Sequence, residues 1–222
     1  MSKPIDVEIW SDIACPWCYI GKRRFEQGLA GFDGRDDVTV TYRSYELAPD
    51  TPTDFDGSEV DFLVGHKGMS SAQVEQMLDE MTQLAAVEGL AYDFDGLHHT
   101  NTRLAHRVLH LARREGRQRE LAERLFAAYF TEGRHLGRPE ELADLAAEVG
   151  LDRASVLAAL AGDDFVAEVD ADIAQARAHG IAGVPFFVLD GRYGISGAQP
   201  AQTFTSALEQ VVADRTDASG RS

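Results

Sequence analysis

Residues 5–20 read Ile5-Asp6-Val7-Glu8-Ile9-Trp10-Ser11-Asp12-Ile13-Ala14-Cys15-Pro16-Trp17-Cys18-Tyr19-Ile20, and this stretch decides the fold. Residues 5–10 alternate apolar and polar side chains, the period of a strand with one buried face. A short polar link follows. From Pro16 the period becomes helical, with Trp17, Ile20, Phe25 and Leu29 apolar and Lys22, Arg23 and Arg24 expected in solvent. Residues 38–45 alternate again, β-branched and aromatic against polar, and give a second strand. Strand, helix and strand within about forty residues form a βαβ unit.

The chain's two cysteines, Cys15 and Cys18, sit at the junction of that first strand and helix. Positions i and i+3 of a helix share a face, within the Cα reach of a disulfide. Pro16 suits the first helical position, which makes Cys15 the N-cap and Cys18 the third residue of the first turn. The unpaired amides of that turn, and the helix dipole, then favour an anion on the Cys15 sulfur. Cys15 is therefore expected to be the partly exposed nucleophile, with Cys18 the shielded, resolving thiol. A secreted disulfide scaffold would carry more cysteines, more widely spaced. A structural zinc site would need two histidines besides. A redox pair is the simplest reading.

Bulk properties narrow the partners. Among 222 residues, 37 acidic against 21 basic side chains give a formal charge of −16, which argues against nucleic acid and anionic membranes. Residues 1–12 hold Lys3 but no apolar run of the roughly 7–15 residues a secretory leader needs. No stretch approaches the ~18 apolar residues of a membrane span. The expected location is the cytoplasm.

Beyond the second strand, residues 49–57 are loop-rich, and about a hundred residues of helical pattern follow. Ser70 and Ser71 cap a helix carrying Val74, Met77, Leu78, Met81 and Leu84. Further helices are expected over 102–115, 118–130, from Pro139 to near Gly150, over 156–160 and over 164–179, the last stopped by Gly180. Then 186–189 and 193–195 flank Asp190-Gly191, a strong hairpin signal. Pro200 opens a final helix with Phe204, Leu208 and Val211 on one face. The division expected is a sheet unit over 1–50 and 161–213, a helical insertion over 51–160, and a flexible tail over 214–222.

Three pieces of the chain carry a family likeness: Ser11-Asp12 ahead of Cys15-Pro16-Trp17-Cys18 and Gly21, then Gly183-Val184-Pro185, then Ser196-Gly197-Ala198-Gln199. They resemble the DsbA-like branch of the thioredoxin superfamily, particularly its cytosolic FrnE-like members, and the helical block matches as well. The resemblance implies an α/β thioredoxin fold with a large all-helical insertion between a βαβ half and a C-terminal αββα half. It implies a thiol–disulfide oxidoreductase or isomerase acting on disulfide-containing proteins or small thiols. The working group would be the Cys15–Cys18 disulfide itself, with no other cofactor, no metal, and glutathione as a candidate co-substrate. In that family the proline matching Pro185 is cis and packs beside the cysteines. The backbone of Val184, with Gly183 before it, would pair with an extended substrate peptide by strand addition.

Pro16 and Trp17 would tune the potential. The family's strong oxidant has histidine between its cysteines, whereas Trp17 brings bulk without positive charge. A pair about 100 mV above the cytosolic poise stands roughly three decades toward dithiol, since a decade is about 30 mV. Reduction or isomerisation is the expected task.

A second resemblance competes. The glutathione-dependent 2-hydroxychromene-2-carboxylate isomerases and kappa-class transferases share the fold, insertion and cis-proline. Their matching active residue is usually serine, which steadies a glutathione thiolate without bonding to it; here it is Cys15. They hold the γ-glutamyl end with a Ser/Gly-Asp pair, and here Gly197 is followed by Ala198. A redox-inert scaffold would leave the cysteine pair unexplained.

Two charged residues have weaker claims. Asp12 stands three residues before Cys15, where it would take the Cys18 proton through a water or merely favour the helix N-terminus. Lys22, four residues after Cys18, would favour thiolate or simply be solvated. His106 and His110 have metal-ligand spacing, with His98 and His99 upstream, but no third acidic ligand accompanies them.

Overall fold

The computed structural model describes residues 3–219. The opening stretch forms β1 (Ile5–Ser11) and α1 (Pro16–Ala30), and a 3-10 turn at Arg35–Asp37 leads into β2 (Val38–Ser44). Six helices of the inserted stretch follow: α2 (Glu59–Lys67), α3 (Ser71–Val87), α4 (Arg103–Arg114), α5 (Gln118–Thr131), α6 (Pro139–Glu148) and α7 (Arg153–Ala161). Then α8 (Val166–Ala178), β3 (Phe186–Leu189), β4 (Tyr193–Ser196) and α9 (Ala201–Ser219) complete it. The four strands make one sheet in the order β2-β1-β3-β4, with β1 parallel to β2 and antiparallel to β3. This is the thioredoxin arrangement, a βαβ half joined to an αββα half. Asp190 and Gly191 turn the β3–β4 hairpin with φ of 55° and 65°, the left-handed pair that a two-residue turn of this kind requires.

Strand β1 is central, and its alternation divides the two faces. Val7 and Ile9 join Phe187 and Leu189 under α1 and α9, where Phe25 and Phe204 pack on Phe187. Trp10, Phe186 and Val188 point the other way, against Ala176 of α8 and Ile181. Trp10 is fully buried and its Nε1–H donates to the Asp172 carbonyl at 3.0 Å, so its one polar atom is satisfied. Gly28 lets α1 and α9 meet closely, since a Cβ there would overlap the Ala201 carbonyl. The outer edge of β2 is covered by side chains: Gln118 of α5 exchanges two hydrogen bonds with the Tyr42 backbone, and Asp172 accepts from the Ser44 N–H.

The helical block attaches to α1 through rings. Tyr19 stacks on Phe126 at 5.1 Å and on Tyr92 at 6.1 Å. Within the block, α2 and α3 form their own cluster around Leu63, Val74 and Leu78. Both begin with capping boxes, Ser58 with Asp61 and Ser70 with Gln73. Helix α2 has no apolar period of its own, because Val60, Phe62, Leu63 and Val64 run nearly unbroken. Helix α8 starts at Val166 rather than at 164, since Phe165 takes a left-handed backbone with φ of 63°. The polar tail expected from residue 214 is helical as far as Ser219, and Arg215 anchors it to Asp190. Residues 220–222 lie outside the described residues.

Candidate active site

The three motif pieces meet where β1 ends. Ser11 pairs in register with Ser44, and Trp10 with Phe186, so the chain leaves the sheet between β2 and the loop before β3. Cys15 is the N-cap of α1 with an extended backbone, and Pro16 holds the first helical position, as the spacing predicts. A turn donates Cys15 N–H to the Asp12 carbonyl at 3.1 Å, and a second donates Cys18 N–H to the Cys15 carbonyl at 2.9 Å. Both cysteines are free thiols.

Two expectations for Cys15 change. It is buried at 4% exposure, not partly exposed, because the Val184 loop lies over one side of it. Its side chain also caps no amide of the first turn. The thiol instead donates to the Val184 carbonyl, 3.6 Å away. Cys18 is buried behind it, and its thiol is pushed well above the ordinary range, first by burial and then by its hydrogen bond and charge coupling to Cys15. The Ser11 hydroxyl and the Asp12 N–H act in the opposite direction. One thiol faces the Val184 carbonyl and the other is held neutral behind it.

The Val184–Pro185 bond is cis, as the family resemblance implies. Pro185 sits against α1 at Gly21, where a Cβ would come within 2.8 Å of the proline Cγ. The Gly197 N–H donates to the Pro185 carbonyl at 2.8 Å, and Arg24 donates to the Ala198 carbonyl at 2.7 Å. Gly183, Val184 and Pro185 are thus locked to the cysteine helix from two sides. Tyr92 ties the helical block to the same helix by donating its hydroxyl to the Pro16 carbonyl at 2.7 Å.

Asp12 is buried at 2% exposure and turned toward β2 and α4. Its carboxylate accepts from Leu47 N–H at 2.8 Å and Ala14 N–H at 3.3 Å, and His106 Nε2 stands 3.4 Å away. Burial pushes this carboxyl up, but His106, Leu47 and Thr102 outweigh it and hold the group below the usual carboxylate range. It is a fixed anion that organises the loop.

Lys22 is not solvated. Its side chain is 3% exposed, and Nζ bridges Glu26 at 2.7 Å and Glu123 of α5 at 2.5 Å. Glu123 also accepts from Tyr19 at 2.7 Å and pairs with Arg23, so two carboxylates absorb the charge that was a candidate for acting on the thiols. Arg24 pairs with Glu88 at 2.6 Å. Burial pushes Glu123 up, yet Lys22, Tyr19 and Arg23 outweigh it and hold it below the usual carboxylate range. A depressed carboxylate contributes stability that is present above its unfolded pKa and lost as pH falls through the folded value. We expect Glu123→Gln to destabilise the protein by about 2 kcal/mol at pH 7, below the roughly 3–5 of a fully buried pair because the Glu123 side chain is 32% exposed and solvent screens it. Urea titrations should show this gap closing below about pH 4. A gap that persists unchanged at pH 3 would show that packing, not charge, holds α1 to α5.

A cleft of about 310 Å3 opens beside Cys15, walled by Trp17, Phe62, Met77, Phe94 and Val184. Trp17 is 39% exposed at its rim, not in the core as the helical period implies, since the first turn of α1 faces this opening. Deeper in the wall, His99 Nδ1 meets Glu59 at 2.7 Å under the stacked ring of Phe62. The histidines do not converge: His106 faces Asp12, His110 faces Asp172 at 3.0 Å, and His98 stacks on His135.

Sequence reasoning did not single out Tyr92, Glu123 or the α2–α3 wall, because each reaches the site only through tertiary packing. Ser11 belonged to the quoted motif without a role of its own. His106 was visible only as metal spacing.

The family model described as DSBA-like thioredoxin domain matches residues 6–209. Among solved structures, a probable DsbA oxidoreductase from Streptomyces coelicolor is 45% identical with a TM-score of 0.89, covering 94% of this chain and 90% of that one. The cytosolic disulfide reductase DsbM from Pseudomonas aeruginosa, solved with GSH, shares the fold at 18% identity and a TM-score of 0.65, covering 94% of this chain and 99% of that one. An uncharacterized Bacillus subtilis protein, YwbO, is 28% identical over 92% of this chain and 96% of its own length.

Proposed function

The chain belongs to the DsbA-like thioredoxin family, and from that premise we propose that it exchanges disulfides through Cys15 and Cys18 as a cytoplasmic, FrnE-like reductase or isomerase. The observation that carries this reading is the arrangement of the two thiols: Cys15 as N-cap beneath the Val184 carbonyl, and Cys18 buried behind it. Cys15, as thiolate, attacks one sulfur of a substrate disulfide. A Cys15–substrate disulfide forms, and the other substrate sulfur leaves as thiolate. Cys18 then attacks the Cys15 sulfur, expelling the remaining substrate sulfur. The substrate has gained two electrons and the enzyme ends as the Cys15–Cys18 disulfide. An external thiol of the glutathione class restores the dithiol.

The Val184 carbonyl now occupied by the Cys15 thiol is free to accept an amide of an extended peptide once Cys15 has reacted. The apolar cleft beside it suits an aliphatic or aromatic side chain of the substrate. In this division of labour residues 1–50 and 161–213 carry the chemistry, and residues 51–160 supply the wall that shapes access to it. The glutathione isomerase reading is weaker, because Cys18 stands ready to expel any glutathione joined to Cys15. The test is catalysis of insulin reduction by dithiothreitol. Acceleration over dithiothreitol alone is the expected result, and its absence would remove the proposal.

A further inference from the structure

The cleft beside Cys15 has one polar group in its wall that the exchange chemistry does not use. His99 is 5% exposed and lines the cleft, and its Nδ1 meets Glu59 Oε2 at 2.7 Å. A carboxylate oxygen accepts, so Nδ1 carries the hydrogen of that bond. Phe62 stacks on the imidazole and Phe55 meets it edge-on, so the ring is fixed. Nε2 is left over. It makes no hydrogen bond among the described residues, and it is not one of the unpartnered atoms sealed from solvent. The open edge of a buried, oriented histidine therefore belongs to the cleft, where it can meet a ligand without rearranging. At about 310 Å3 the cleft lies near the lower end of ligand pockets, roughly 300–1,000 Å3, and suits one ring.

We propose that the cleft reads a tyrosine beside the half-cystine of a peptide substrate, its ring against Trp17, Phe62 and Phe94 and its hydroxyl on His99 Nε2. The inference rests on the reading of Cys15 as the attacking thiol and of Val184 as the strand-pairing backbone. Gly183 and Val184 line the cleft together with Cys15, so a chain paired there passes over its mouth. The aromatic walls favour a ring over an aliphatic chain, because ring pairs gain beyond the area they bury. Charge selects the polar group on that ring. An anion at Nε2 would face the Glu59 carboxylate across one imidazole, and a cation would meet His66 and Lys67, exposed at the rim. A neutral hydroxyl meets neither objection. It donates to a bare Nε2 and accepts from an Nε2–H, so either form of the histidine is served. His99 is thus the specificity residue, and Glu59 positions it.

The test compares disulfide-linked peptide dimers that differ only in the residue beside cysteine: alanine, phenylalanine, tyrosine or 4-carboxyphenylalanine. One set places it before the cysteine and a second set after. Fully reduced enzyme in excess is mixed with each peptide, quenched in acid and weighed, which gives a second-order rate of peptide reduction. In one set the wild type should reduce the tyrosine peptide about tenfold faster than phenylalanine, the upper end of one net hydrogen bond. Phenylalanine should in turn lead alanine. The Glu59→Leu, His99→Leu double variant should reduce the tyrosine and phenylalanine peptides equally while phenylalanine keeps its lead over alanine. The pair is replaced together because removing one partner strands the charge of the other. Equal wild-type rates for tyrosine and phenylalanine in both sets would overturn the proposal, with no variant needed. A tyrosine lead that survives in the double variant would overturn it too, and a lead for 4-carboxyphenylalanine over tyrosine would reassign the cleft to anions. No reduction of any peptide by the wild type would instead sink the reading of the cysteine pair.

Discussion

Insulin reduction is expected to return to the rate of dithiothreitol alone when Cys15 is replaced by serine. Disulfide exchange needs a sulfur nucleophile that is ionised near neutral pH, and a serine hydroxyl at the same place remains protonated. The substitution is otherwise mild. Serine fills about the same volume, and it is among the best N-cap residues, so α1 should be at least as stable with it. Loss of activity with unchanged thermal unfolding would therefore assign the effect to chemistry. A Cys15→Ser protein that keeps wild-type turnover would place the reaction elsewhere.

Cys18→Ser should fail in a different way. Cys15 still attacks, because its position beneath Val184 does not depend on the Cys18 sulfur. The mixed disulfide then has no internal thiol to displace it, and it accumulates. Exposed to glutathione disulfide, Cys18→Ser should gain the mass of one glutathione on Cys15, and dithiothreitol should remove it. Turnover should fall steeply with the adduct in place. Two single variants that are equally inert, with neither holding an adduct, would point to a structural role for the pair.

The sheet unit was legible because its signals are local. Alternation marked β1 and β2, Asp190-Gly191 marked the hairpin, and Pro16 placed Cys15 at the N-cap. Each of these depends on neighbours within a few residues. What escaped depends on contacts across the chain. Lys22 reads as a solvated helix residue until Glu123, a hundred positions later, is packed beside it. Trp17 obeys the apolar period of α1 but meets a cleft instead of a core, since its neighbours α2 and α3 come from the inserted block. His106 and His110 share metal spacing, yet each turns to a different aspartate contributed by a distant segment. Helix α2 escaped individual notice because its apolar residues are contiguous rather than periodic.

The most direct test of the account is a redox titration of the wild-type protein. Equilibrated across a series of glutathione buffers and then alkylated, each sample is weighed intact to count free thiols. The account predicts that Cys15 and Cys18 lose their thiols together in one two-electron transition, changing tenfold for about every 30 mV. Two thiols that react independently, or one that persists under oxidising buffer, would contradict it.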